Sequence, residues 1–436
     1  MEVSYNNTLP KVKKDKSMVK AIVAGSIGNA LEWFDYGLYG YFSSVIATLF
    51  FPSQDPLTSL MMTFIVFGVG FVMRPIGGMI FGHYADKAGR SKALSATVML
   101  MGVSTFAIGC LPTYSQIGVA APILLALCRL VQGISTGGEW GSCMSFLAEY
   151  GRSDNRGFIV SWSQFSIAVG LLMGSALGTV LTAALSQESL YAWGWRIPFW
   201  TGLLIAIFGL YVRSKVDETP KYKEVKLSNG VADMPVVELF KKYRYETLVN
   251  IGVVIGWTIS YWIIMAYMPT YISKVLQYPL WVGMSFNSVL LIIFMIAIPF
   301  AGMLADRIGR RPVMLIATAG FILFSYPLFY LMSTVKTAGV LFFVLLVLAL
   351  LQALLCGGAT VYIPEIFPTH IRCSAIGVGY NFAVAAFGGT APFVATWLIS
   401  ATGNPLAPIF YLIAGSMLTF LVVLFMAKET YREPLR

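Results

Sequence analysis

Long apolar runs alternate with short polar breaks along almost the whole chain. A helix needs about 20 mostly apolar residues to cross a hydrocarbon core roughly 30 Å thick. Twelve runs meet that length, at 19–50, 57–82, 93–114, 118–148, 157–185, 193–213, 246–272, 280–304, 312–333, 338–364, 374–401 and 405–427. The longest polar break, "RSKVDETPKYKEVKLSNGVADMPVVELFKKYR" (213–244), follows the sixth run. The pattern therefore predicts an all-α polytopic membrane protein with twelve transmembrane helices in two pseudo-symmetric six-helix bundles. The expected division is a tail over 1–18, a bundle over 19–213, a linker over 214–245, a second bundle over 246–428 and a tail over 429–436.

Composition agrees, with 57% hydrophobic and 11% charged residues, where soluble chains carry about a quarter charged. The basic residues also fall on one side. Lys11, Lys13, Lys14, Lys16 and Lys20 precede the first run, and Lys87, Arg90, Lys92, Arg152, Arg156, Arg307, Arg310, Arg311 and Arg372 occupy even-numbered breaks. Eight more lie from Arg213 to Arg244. The odd-numbered breaks hold chiefly Lys274 and Lys336. Positive charge marks the cytoplasmic side, so both termini are expected there. This asymmetry accounts for the net charge of +10 without a nucleic-acid partner. The lysine-rich start has no apolar core or cleavage site and is not read as a signal peptide. The five cysteines form no C-x-x-C pair, and no phosphate-binding loop, metal cluster or haem site is evident. No cofactor is expected, and no enzyme activity.

The loop after run two, "GHYADKAGRSK" (82–92), is echoed after run eight by "GMLADRIGRRP" (302–312). In each copy an Asp and an Arg four apart surround a glycine: Asp86 with Arg90, and Asp306 with Arg310. Such charges bind one another or the ends of neighbouring helices, so they form a candidate conformational latch. Glu149 and Glu365, close in sequence to Arg152 and Arg372, join it. His83 and His370 fall in loops and are not expected to carry protons.

These paired loops, with "RLVQGISTGGEW" (129–140) and the ladder Gly170, Gly174, Gly178, resemble motifs of the major facilitator superfamily. "GNALEWFDYGLYG" (28–40), "FVMRPIGGMIFGHYAD", "WGWRIPFW", "DETPKY" and "EIFPTHIR" further resemble its metabolite:proton symporter family, whose members carry proline and betaine, citrate, α-ketoglutarate or shikimate. The likeness runs over nearly the whole chain. Osmosensing members carry a long coiled-coil tail, whereas this sequence ends nine residues after Ala427, so gating by such a tail is not expected.

Three acids lie within spans: Glu32, Asp35 and Glu139. Each would cost roughly 2.5–3.5 kcal/mol at a helix centre, so they are expected to face a central cavity as proton-coupling groups. Asn29, Glu32, Tyr36 and Tyr39 recur at i, i+3, i+7 and i+10 on one face of span one, with Asp35 beside it. Arg129, Gln132, Thr136 and Glu139 do the same on span four, spreading a cation and an acid about 15 Å along one stripe. Arg129 and Arg74 are the candidate carboxylate binders, since a guanidinium fork matches a carboxylate, with Asn29, Tyr36, Tyr39 and Gln132 as further candidate solute contacts. A permanent structural bridge from Glu32 to either arginine is the competing reading. The second half offers aromatics and amides, of which Tyr261, Tyr380 and Asn381 are the candidate solute contacts. An aromatic wall facing an ionic wall suits a zwitterion or quaternary ammonium.

The expected function is secondary active symport of a proton with a small carboxylate-bearing organic solute by alternating access. The setting is a bacterial inner-membrane bilayer, with the protein acting as a monomer. A uniporter, a drug/proton antiporter and a non-transporting sensor are the alternatives.

Overall fold

The computed structural model describes residues 29–435 except 31, 79, 82–89, 138, 214–240 and 369–370. For residues 90–94, 139, 142, 146, 149, 150, 205, 209, 212, 213, 373 and 374 only the backbone is described. All regular structure among the described residues is helical. The first six spans are α1 (29–50), α2 (Pro56–Gly78), α3 (Arg90–Cys110), α4 (Ala120–Thr136 continuing as Glu139–Tyr150), α5 (Arg156–Ala184) and α6 (Arg196–Arg213). The second six are α7 (Arg244–Val275), α8 (Leu280–Ile308), α9 (Arg310–Thr334), α10 (Ala338–Glu365), α11 (372–402) and α12 (Ala407–Phe425). Among the described residues eight helices are long and apolar enough to cross a bilayer on length and composition; Ser95–Cys110, Ala120–Thr136 and Arg196–Phe208 are shorter apolar helices. With α1 these make the twelve crossings.

No water reaches a bilayer core to satisfy a free peptide group, and this chain closes its helix ends with arginines from the motif segments. Arg196 donates to the Gly109 and Leu111 carbonyls at 2.9 and 2.6 Å, capping α3. Arg372 donates to the Pro364 and Phe367 carbonyls at 2.9 and 3.2 Å, capping α10. Arg311 does the same for α12 through the Val423 and Leu424 carbonyls. At the opposite polarity Asp55 caps α2, and the Thr58 hydroxyl with the Leu57 and Thr58 amides holds its carboxyl below the usual carboxylate range.

In the first half α3 packs on α6 and α4, and α2 on α4; in the second α7 packs on α12 and α11, while α10 lies against α8 and α9. The halves meet most extensively along α5 and α8. Small residues set these crossings. A Cβ on Gly133 of α4 would run into the Gly70 carbonyl of α2, and one on Gly137 into the Arg74 carbonyl, so the two backbones touch. In the α5 ladder, Gly170 meets the Ala30 carbonyl of α1 and Gly178 meets Met284 of α8, while Gly174 has ordinary clearance of 3.5 Å. Gly309, between α8 and α9, has φ 104°, a conformation that favours glycine.

Because backbone cannot yield as a side chain does, Gly133→Ala is expected to lower thermal stability in detergent by about 1–3 kcal/mol, the range for overpacking. Gly339→Ala, where a Cβ meets nothing within 4 Å, is the control. Equal melting of both variants with wild type would remove the close-contact argument.

Several spans depart from the uniform helices expected. In α4 Gly137 is a turn residue with helical backbone angles. α7 contains wide turns at Trp262–Tyr267 and Tyr271–Val275, and α11 one at Val384–Gly388.

Candidate functional site

Two acid–arginine pairs lie inside the first bundle. Glu32 of α1 meets Arg74 of α2 at 2.5 Å. Asp35, three residues on, meets Arg129 of α4 at 3.2 Å and accepts from Thr105 Oγ1 at 2.5 Å and Gln132 Nε2 at 2.7 Å. Gln132 Oε1 in turn accepts from Arg129 Nη1 at 2.7 Å. None of the four charged side chains is more than 4% exposed. Removing ions from water costs several kcal/mol each, and mutual pairing is what makes their burial tolerable.

Rings complete this layer. The Arg129 guanidinium lies 4.7 Å from the Tyr39 ring, 5.0 Å from Tyr36 and 5.3 Å from Phe67. The Arg74 guanidinium lies 4.9 Å from Tyr36 and from Phe71. Tyr36 thus contacts both cations, and its hydroxyl accepts from Arg74 Nε at 3.4 Å and bonds Thr136 Oγ1 at 3.2 Å. The contact of α2 with α4 at Gly70 and Gly133 brings the two arginines to the same region of α1.

That packing gives several candidate residues protein partners. Arg129, expected on the solute, is fully buried and binds Asp35 and Gln132 through Nη1, while its Nε and Nη2 have no hydrogen-bond partner among the described residues. Asn29, also expected on the solute, donates to the Ser163 carbonyl at 3.1 Å and Ser166 Oγ at 3.0 Å, tying α1 to α5. Tyr39 donates to the Thr63 carbonyl at 3.1 Å. Asn381 donates across the halves to the Gly137 carbonyl at 3.2 Å. The side chain of Glu139 lies outside the described residues.

Beside the ionic layer, where the halves meet, a small cavity of about 10 Å³ is lined by Trp33, Trp257, Tyr261, Trp262 and Tyr380, with Gln164, Ile167 and Thr258. Trp33 stacks on Trp262 at 5.5 Å and meets Tyr261 edge-on at 5.7 Å. Tyr380 lies flat on Trp140 at 3.5 Å. Both Trp33 and Trp262 reach the Tyr36 ring at 6.2 Å, so pocket and ion pairs are contiguous. Tyr261 and Tyr380 are where the sequence put solute contacts. Gln164 was missed, although it is an amide inside an apolar span, the same signal that singled out Gln132. Trp33 Nε1, Gln164 Nε2, Trp257 Nε1 and Tyr261 Oη are buried with no hydrogen-bond partner among the described residues, and an unsatisfied buried donor costs about 1–3 kcal/mol.

The two halves are tied together on either side of the pocket. On one, Asp306 accepts from the Gly157 and Phe158 amides at 2.8 Å each, at the N-terminus of α5, and pairs with Arg310 at 3.0 Å. Glu365 of α10 bridges the halves, meeting Arg156 at 2.5 Å and Arg310 at 3.0 Å. Thr430 Oγ1 donates to Glu365 at 2.5 Å, and the Glu429 carboxylate accepts from the Arg310 and Arg311 amides at 3.0 Å each. The sequence set Glu365 beside Arg372, but Arg372 Nε is turned to helix-end carbonyls. Likewise Arg152 pairs with Asp154 at the surface. Asp86 lies outside the described residues, as do the side chains of Arg90 and Glu149. On the other side Ser43 of α1 bonds Thr270 of α7 at 2.9 Å, and Gly68 of α2 packs on the Gly389 carbonyl of α11.

A sugar (and other) transporter family model matches residues 20–228, and a Major Facilitator Superfamily model matches residues 287–436. The proline/betaine transporter of Escherichia coli is 37% identical over 97% of this chain and 86% of its own length. The glycine betaine/proline/ectoine/pipecolic acid transporter of Dickeya dadantii is 36% identical over 97% and 85%. Among solved structures, that of a D-xylose–proton symporter superposes with a TM-score of 0.75 at 19% identity, over 96% of this chain and all of that one. The inward-open xylose transporter XylE from E. coli gives 0.73 at 17%, over 96% and 98%. At those identities the likeness is one of fold.

Proposed function

The chain belongs to the major facilitator superfamily and is a multi-pass membrane transporter, and from that premise we propose that it takes up a small zwitterion of the proline or betaine type together with a proton. The observation that carries this reading is the charge balance of the site. Arg74 and Arg129 are each matched by an acid, so the region around the pocket is neutral while its walls are aromatic. A neutral solute with a soft ammonium fits ring faces, whereas a di- or tricarboxylate would need unmatched cations. The E. coli and D. dadantii relatives named above are transporters of that solute class.

Asp35 serves as the proton site. Glu32 is held at 2.5 Å by Arg74, but Asp35 has one longer contact with Arg129, at 3.2 Å, and a neutral amide and hydroxyl around it that tolerate either protonation state. Tyr36, touching both cations and the pocket rings, conveys occupancy between the two layers. The Asp306–Arg310–Glu365–Arg156 cluster is the cytoplasmic gate, with both termini on that side of a bacterial inner membrane. The protein works as a monomer, since one chain supplies pocket and gates.

Proteoliposomes test this directly. Acid outside should drive accumulation of proline and glycine betaine, and collapse of the proton gradient should abolish it. Uptake that ignores the gradient would make the protein a uniporter, and accumulation of citrate in place of betaine would overturn the zwitterion reading.

A further inference from the structure

Four donors lining the pocket have no hydrogen-bond partner among the described residues, and Trp257 Nε1 is set apart from the others because it interacts with the Cys356 thiol. The other three, Trp33 Nε1, Gln164 Nε2 and Tyr261 Oη, belong to residues 3%, 1% and 4% exposed. They come from α1, α5 and α7, so both halves contribute. The nearby guanidiniums do not line the pocket: Arg74 binds Glu32 and Tyr36, and Arg129 binds Asp35 and Gln132 through Nη1. The donors that line the pocket are therefore neutral.

We propose that Trp33, Gln164 and Tyr261 form an uncharged cradle for the solute carboxylate and are the specificity-determining residues for it. This deepens the zwitterion reading above and rests on it. An indole N–H donates and cannot accept, so Trp33 selects an acceptor; the Gln164 amide nitrogen and the Tyr261 hydroxyl supply two further donors. Donors drawn from both halves give the carboxylate a role beyond affinity, because all three can be satisfied together only when the halves have closed around the solute.

The test compares glycine betaine with choline, which keeps the quaternary ammonium and lacks the carboxylate. Binding to purified full-length wild type, Trp33→Phe and Tyr261→Phe is measured by calorimetry, with a melt of each variant to establish folding. Wild type should favour betaine. Each variant should lose betaine affinity on the order of tenfold or more, the scale of a hydrogen bond to a charged group, with choline affinity changed by less than about twofold. Tyr261→Phe removes a single oxygen, so it answers the question even if Trp33→Phe fails to fold. Equal loss for both ligands would reduce these residues to packing, and no loss for either would remove them from recognition; both results overturn the cradle while leaving the zwitterion reading standing. Failure of wild type to bind proline or betaine at all would overturn that reading and the cradle together.

Discussion

Asp35→Asn should lose uphill accumulation of the solute, by at least an order of magnitude, while solute counterflow continues. The asparagine keeps the volume and an oxygen for Thr105 and the Gln132 amide to donate to, but it cannot take up and release a proton. Accumulation needs net proton movement and exchange does not, which is why the two assays should separate. Losing the charge leaves Arg129 buried without its counter-ion, and breaking a buried pair costs about 3–5 kcal/mol. A melt is therefore measured alongside, and Asp35→Asn combined with Arg129→Gln should recover part of the stability but not the accumulation. Normal accumulation by Asp35→Asn, still abolished by gradient collapse, would move the proton to another group. Glu32→Gln is then the variant to assay.

The second large effect is expected at the gate. Glu365→Gln removes a carboxylate that meets both Arg156 and Arg310, leaving Arg156 buried without its counter-ion while Arg310 keeps Asp306. The cost falls on the closed arrangement alone, because the pair is separated once that end opens. At about 3–5 kcal/mol the equilibrium should move toward the open form by a factor on the order of a hundred or more. Spin labels at the exposed positions 154 and 307, in a background without native cysteines, should report a longer distance in this variant. Turnover should fall more than solute affinity, since Glu365 does not line the pocket. An unchanged distance distribution with normal turnover would leave the cluster as a structural tie.

Much of the architecture is a local property of the sequence. A bilayer core demands about 20 apolar residues per crossing and self-satisfied backbone, so each span is written in its own run and the count is readable without knowing any contact. The repeated Asp-x-x-Gly-Arg loop was equally legible, and at Asp306 and Arg310 both contacts it allows occur, with each other and with the start of α5. Helical periodicity also told that Glu32, Asp35, Tyr36 and Arg129 face inward, and all four are buried.

Partnership was not legible. Periodicity names the face of a helix but not which helix that face meets, so either arginine was an equal candidate for Glu32. The choice of Arg74 for Glu32 and Arg129 for Asp35 follows from the contact of α2 with α4 at Gly70 and Gly133, a crossing between residues 63 positions apart in the chain. The pocket is more remote still, since its rings come from α1, α7 and α11 and its amide from α5. Hydrophobic patterning determined twelve helices because solvation acts on each residue separately; only tertiary packing decided which charges neutralise one another and which donors remain for a ligand, because those are properties of pairs.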